Sequence, residues 1–219
     1  MDSLLKSAKA HTRYYNSKGE QIPGVTTILG VLNKPALVKW ANNLGLKGID
    51  SSKYSDKAAL IGSLAHLMIL EHLSGNKQDI SDFSNDDIDK AENSLLSFYE
   101  WEKNNKLLPL LVEKPLVSEK YQYGGTIDCY GILNDKKTLL DFKTSSGIYP
   151  EMFYQVAGGY LQLLKENGFE VHQIRILRIG RDETEGFEDH KIMDWNIHFQ
   201  IFESALKIYN LQKALGKGQ

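Results

Sequence analysis

One cysteine, Cys129, stands in a chain of 219 residues, and that scarcity excludes more than it permits. An internal disulfide needs two thiols, and a cysteine-held zinc or iron–sulfur site needs several thiolates. The usage fits a reducing compartment. Long apolar runs are also missing: none approaches the roughly 20 residues of a membrane-spanning helix. After Met1 the polar stretch Asp2 to Lys9 lacks the apolar core of a secretory signal. A soluble, cytoplasmic protein of a bacterial or phage-infected cell is expected, without a membrane or a disulfide-linked partner. The formal charge of −2 lacks the basic excess of a nucleic-acid coat. No G-x-x-x-x-G-K-[ST] stretch is present, so no nucleotide-driven motor is expected. Internal repeats, low-complexity segments and long linkers are absent as well.

What is present is 42% hydrophobic content, enough for one medium-sized core. The expectation is a single unit over 1–219, with a mainly helical part at 1–105 and a sheet-containing part at 106–219. Charge is segregated along it. Residues 1–57 hold nine Lys or Arg against four acids, a surplus of +5, and residues 79–102 hold eight acids against Lys90, a net −7. Such separation points to one electropositive side and one that repels polyanions, although any single run also reads as a solvated helix face.

The stretch RYYNSKGEQIPGV reads as a hairpin turning at Ser17-Lys18-Gly19. Thr26 or Thr27 would cap a short helix through Leu32, and Pro35 would open another to Leu46. A helix from Ser55 to near Gly75 places Ala58, Ala65, Ile69 and Leu73 on one face. A second, over 86–104, aligns Ile88, Ala91, Leu95 and Phe98. Strands are expected at 110–118, 123–133, 138–143 and 171–179, with an edge strand at 187–192. Helices are expected from Pro150 to Asn167 and from Ile197 to Leu215. This order describes an α/β or α+β fold, a mixed sheet flanked by helices. Gly124-Gly125 inside a strand implies a bulge or the close approach of a ligand backbone.

Two of the expected strands each carry a carboxylate in an apolar setting: Ile127-Asp128-Cys129 and Leu140-Asp141-Phe142. A buried, unpaired carboxylate costs several kcal/mol, so a salt bridge or a cation must offset it. Alternation puts Thr126, Asp128 and Tyr130 on one face, and Asp141 beside Lys143, about 6.5 Å apart. Pairing through the Asn134–Lys137 turn would bring Asp128 and Asp141 together. Two converging carboxylates repel unless a cation lies between them, and oxygen ligands without cysteine favour Mg²⁺ or Mn²⁺. The competing assignment is a surface Asp141–Lys143 ion pair with Asp128 capping a turn.

The ordered set of Asp128, then Asp141-x-Lys143-Thr144, then a helix with Gln155 and Tyr160, resembles the PD-(D/E)XK nuclease superfamily. The stretch GSLAH, Gly62 to His66, is similar to the G-x-x-x-H of its RecB-type exonuclease branch, and IPGVTTILGVLNKPALVKWA to the opening of that branch's standalone members. The likeness runs from about Arg13 to Leu164. It implies a restriction-endonuclease-like core. His66, Asp128, Asp141 and the main-chain carbonyl of Phe142 would bind the metal, with Glu113 as an accessory acid. Lys143 would position the attacking water, while Gln155 and Tyr160 would contact the active-site lysine or the DNA backbone. The four cysteines of iron–sulfur relatives are missing.

Helical spacing places Gln155, Gly158, Gly159 and Gln162 on one face, and Tyr160 off it. Gly62, one turn before His66, would leave room above the imidazole ring. Lys34, Lys39 and Lys53, with Tyr14 and Tyr15, are candidates to hold the phosphates and bases of a single strand, and Trp40 is expected in the core. The other histidines have no partner pattern. The expected activity is a Mg²⁺- or Mn²⁺-dependent DNA exonuclease acting on single-stranded or frayed ends. A structure-specific endonuclease and a non-catalytic DNA-binding module are the alternatives.

Overall fold

The computed structural model describes residues 12–77, 79–181 and 184–216. Lys6, Lys9 and His11 lie outside these. The expected hairpin is present as β1 (Tyr14–Tyr15) and β2 (Gln21–Ile22), with Gly19 at φ 77° in its turn. Helix α1 (Val25–Leu29) starts earlier than expected. Its N-cap is Gly24, and Thr26 and Thr27 lie inside the helix. Helix α2 (Pro35–Leu46) opens on its proline but buries no side chain, so Trp40 is 38% exposed rather than in the core. Its ring meets that of Tyr54 edge-on at 6.0 Å.

Helix α3 (Ser51–Ser74) begins four residues before the expected Ser55, because the Asp50 carboxylate accepts from the Ser52 and Lys53 amides. It ends on Gly75 at φ 71°, the left-handed conformation that glycine adopts without strain. Helix α4 (Asn85–Lys103) is capped by Ser84, whose hydroxyl accepts from the Asp87 amide. Lys57 lies 3.8 Å from Asp86 and His72 lies 2.7 Å from Glu102. Matching ends in this way means that α3 and α4 run parallel, so their connection must return along α3. Ile80 and Phe83 on that connection pack against Leu64, Ala65 and Met68 of α3.

The sheet contains β3 (Leu107–Ser118), β4 (Tyr123–Leu133), β5 (Lys136–Lys143), β6 (Gln173–Ile179) and β7 (Phe187–Lys191), in that spatial order. Asn134 and Asp135, both at positive φ, turn β4 into β5. Helix α5 forms the crossover that makes β5 and β6 parallel; the other pairs are antiparallel. It comprises Pro150–Phe153, a π-helical turn Tyr154–Tyr160, and Leu161–Glu166. Helix α6 (Trp195–Gly216) closes the fold.

One face of the sheet is covered by α1, α5 and α6 through Val25, Val156, Leu163 and Phe202. The other is covered by α3 and α4 through Ile69, Leu70, Phe98 and Trp101. This is a mixed α+β architecture with a five-stranded central sheet between helical layers, consistent with a restriction-endonuclease-like core. Among the described residues no helix is long and apolar enough to cross a membrane.

Candidate active site

The β4–β5 ladder ends at the Cys129–Leu140 pair, although β5 stays paired to β6 as far as Lys143. Asp128 and Asp141 therefore sit where the two strands part. The expected alternation fails here. Ile127 packs into the α5–α6 cluster and Cys129, two residues later, into the α3–α4 cluster. The strand's facing reverses around Asp128, and Thr126 and Tyr130 do not share a face. Glu113, at φ 48° on the adjacent strand, falls between the Val112–Cys129 and Lys114–Ile127 pairs, opposite Asp128.

At this opening Asp128 Oδ2 accepts from the Phe142 amide at 2.9 Å, which replaces a ladder bond, and lies 3.1 Å from His66 Nε2. Lys143 Nζ lies 2.5 Å from Asp141 Oδ2. The Asp141 side chain is 1% exposed, and its Oδ1 has no hydrogen-bond partner. The Asp141–Lys143 ion pair is thus buried, which removes the surface-pair assignment.

The electrostatics follow from burial and crowding. Burial favours the neutral Asp141 acid and, with the Asp128 charge nearby, outweighs the pull of Lys143, pushing its pKa up to about 6. Burial acts the same way on Asp128, but His66, Lys143 and the Phe142 amide hold it below the ordinary carboxylate range. Burial disfavours the His66 imidazolium, yet the charge and hydrogen bond of Asp128 raise its pKa overall. For Lys143, too, burial is overcome by Asp141 and Asp128, and its pKa rises.

Gln155 and Tyr160 meet on the other side of the strands. The Gln155 amide donates to the Tyr160 hydroxyl at 2.7 Å. The π-helical turn brings residues five apart onto one face, which the α-helical spacing did not foresee. Burial, and then the charges of Asp141 and Asp128, keep the Tyr160 phenol neutral with a strongly raised pKa.

Several glycines serve packing instead of a ligand. A side chain at Gly125 would strike the Tyr160 ring at 2.8 Å, and one at Gly124 would run into the Tyr14 ring. A Cβ at Gly158 would meet the His198 carbonyl oxygen at 2.7 Å, and one at Gly159 would meet Val25 at 2.7 Å, so that face abuts α6 and α1 and is not free for DNA. Gly62 makes room for Thr144 Oγ1, not for the His66 ring. The Tyr14 hydroxyl is 3.0 Å from Thr126 Oγ1, and Tyr15 is 50% exposed. Lys34 pairs with Glu151 at 3.4 Å; Lys39 and Lys53 are exposed on α2 and α3.

Beside the carboxylates lies a cleft of about 650 Å³, bounded by α3, the β5 end and the α3–α4 connection. His66, Lys143 and Glu113 line it, as do Asp79, Phe83, Thr144 and Ser145. Of these last four, the sequence motif includes only Thr144, without a role; Asp79, Phe83 and Ser145 are not singled out. Thr144 carried a signal, the glycine at position 62 that its side chain requires; Asp79 and Phe83 come from a connection without periodicity.

Among the described residues, no three His, Cys, Asp or Glu side chains gather closely enough to hold an ion; His66 is paired with Asp128, and Asp141 with Lys143. The donor chemistry nevertheless fits a hard divalent cation: two carboxylates, an imidazole, and a buried carboxylate oxygen without a partner.

No protein-family model matches the chain, and no curated protein sequence matches it. Among solved structures, SSO0001 is similar over 94% of this chain and 83% of its own, at 16% identity and a TM-score of 0.44. The alkaline exonuclease LHK-Exo from Laribacter hongkongensis is 11% identical with a TM-score of 0.38, covering 100% of both chains. LHK-Exo in complex with dAMP is 14% identical with a TM-score of 0.34, over 71% of this chain and 85% of that one. At these scores the likeness assigns no activity to the present chain.

Proposed function

We propose that the protein is a divalent-metal-dependent DNA exonuclease of the PD-(D/E)XK type. The observation that carries this reading is the buried Asp141–Lys143 pair beside Asp128 and His66 at the opening between β4 and β5. It is supported by the order of His66, Asp128, Asp141, Lys143, Gln155 and Tyr160 in the sequence. Asp128, Asp141 and His66, with the Phe142 carbonyl, would hold Mg²⁺ or Mn²⁺, and Glu113 faces the same cleft. When bound, such an ion polarises a phosphodiester and acidifies a water.

The chain's own residues do the rest. Lys143 is charged and only 18% exposed, so its ammonium is held in one place to orient the attacking water and balance the phosphate charge. The Phe142 amide fixes the Asp128 carboxylate. The Gln155–Tyr160 pair backs Asp141 with a neutral, fixed phenol.

The test is a time course on 5′- and 3′-labelled oligonucleotides, single- and double-stranded, with Mn²⁺ and with EDTA. A ladder growing from one end, abolished by EDTA, is expected. A fixed internal cut would replace the exonuclease reading with an endonuclease, and no cleavage under any condition would overturn both.

A further inference from the structure

Resting on the reading of the site as a phosphodiesterase, we infer that the cleft beside Lys143 binds the nucleobase of the nucleotide adjoining the scissile phosphate, and that Phe83 is its stacking surface. The cleft, about 650 Å³, falls within the roughly 300–1,000 Å³ of pockets that enclose small ligands. Its walls differ in character. Leu67 and Leu70 of α3 and Phe83 of the α3–α4 connection supply apolar surface, and Lys143 with Ser145 supplies a cation and a hydroxyl at the β5 end. A nucleotide has this polarity, an anionic phosphate joined through a sugar to a flat ring with apolar faces.

Phe83 is held against α3 by Leu64 and Met68, yet it remains half-buried and lines the cleft, so one part of the ring has no protein cover. Asp79 lies on the same connection, with its Oδ1 accepting from the Ser81 amide at 3.0 Å. A carboxylate there repels phosphate and accepts from the exocyclic amine of a base, which favours the orientation with the phosphate toward Lys143. Aromatic stacking tolerates any base, so Phe83 would hold the nucleotide without reading sequence.

The experiment compares a deoxynucleoside 5′-monophosphate with 2-deoxyribose 5-phosphate, each titrated into the full chain with Mn²⁺. The wild type should bind the nucleotide roughly five- to hundredfold more tightly than the sugar phosphate. Phe83→Leu, which keeps apolar contact with α3, should erase most of that difference and leave the sugar phosphate's affinity unchanged. Phe83→Trp should restore it. Equal wild-type affinity for the two probes overturns the inference, as does a Phe83→Leu variant that weakens both alike. If the wild type cleaves DNA yet ignores the base, the pocket fails alone; if it binds the base selectively yet never cleaves, the nuclease reading fails and the pocket stands.

Discussion

Replacing Asp141 with asparagine should stabilise the protein, and increasingly so as the pH rises. The side chain is 1% exposed and its carboxyl is pushed up from 3.8 to about 6, first by burial and then by the Asp128 charge, against the pull of Lys143. A native acid that holds its proton more tightly than the unfolded chain contributes stability below its unfolded pKa. That contribution is lost as the pH climbs through the native value. The window is therefore about pH 4 to 6. At about 1.4 kcal/mol per pH unit, the loss amounts to about 3 kcal/mol by neutrality. Asparagine keeps the shape and cannot ionise. Lys143, with its pKa raised above 10.5, stays charged throughout and leaves no signature in the window. Asp128, held below the ordinary range, titrates beneath it. Urea denaturation of both proteins in EDTA across this range gives the difference in stability directly. It should rise in favour of Asp141→Asn across this window, half of the change falling near pH 5 and most of it complete by about pH 6. A difference that is flat, or that falls with pH as it would for a carboxylate stabilised by its ion pair, would refute the argument.

Lys143→Ala should lose cleavage while keeping most Mn²⁺ affinity, since an ammonium cannot ligate a metal, whereas Asp128→Asn and His66→Ala should weaken both together. Imidazole favours Mn²⁺ over Mg²⁺, so residual activity of His66→Ala should show a smaller Mn²⁺ preference than the wild type; calorimetry with parallel cleavage assays separates these roles. Gly125→Ala should cost about 1–3 kcal/mol by overpacking, because its Cβ would stand 2.8 Å from the Tyr160 ring and 2.9 Å from Leu163. A melting temperature equal to that of the wild type would show that Tyr160 moves freely and is not fixed behind Asp141.

The elements with strong local signals were legible in the sequence. Pro35 and Pro150 open helices, Gly75 closes one, and Asn134-Asp135 turns β4 into β5, because each of these residues has a restricted or unusual backbone preference that acts locally. What was not legible depends on partners far along the chain. Trp40 read as a core residue, but α2 buries no side chain, and Trp40 stays 38% exposed with its ring against Tyr54 of α3. The facing of β4 read as uniform alternation. It reverses at Asp128, opposite Glu113 at φ 48° and beside the point where β5 leaves the ladder, and no local pattern records where a neighbouring strand departs.

The same limit explains why the role of Tyr160 rests on resemblance alone. In an α-helix, residues five apart point about 140° away from each other, so the spacing argued against a shared role. The π-helical turn removes that objection, and its surroundings show why a widened turn suits this position. Gly158 and Gly159 bring the helix against the His198 carbonyl of α6 and against Val25, and the Gly159 carbonyl accepts from the buried Tyr123 hydroxyl at 2.9 Å. Tyr160 must then turn toward the sheet to fill the space left by Gly125. A regular α-helix satisfying the first contacts would carry Tyr160 away from Gly125 and from Gln155. The glycine at 125, the two glycines at 158 and 159, and the five-residue spacing are therefore one structural statement written in three separated places, and its outcome is a buried, neutral phenol that accepts from Gln155 and feels the charges of Asp141 and Asp128.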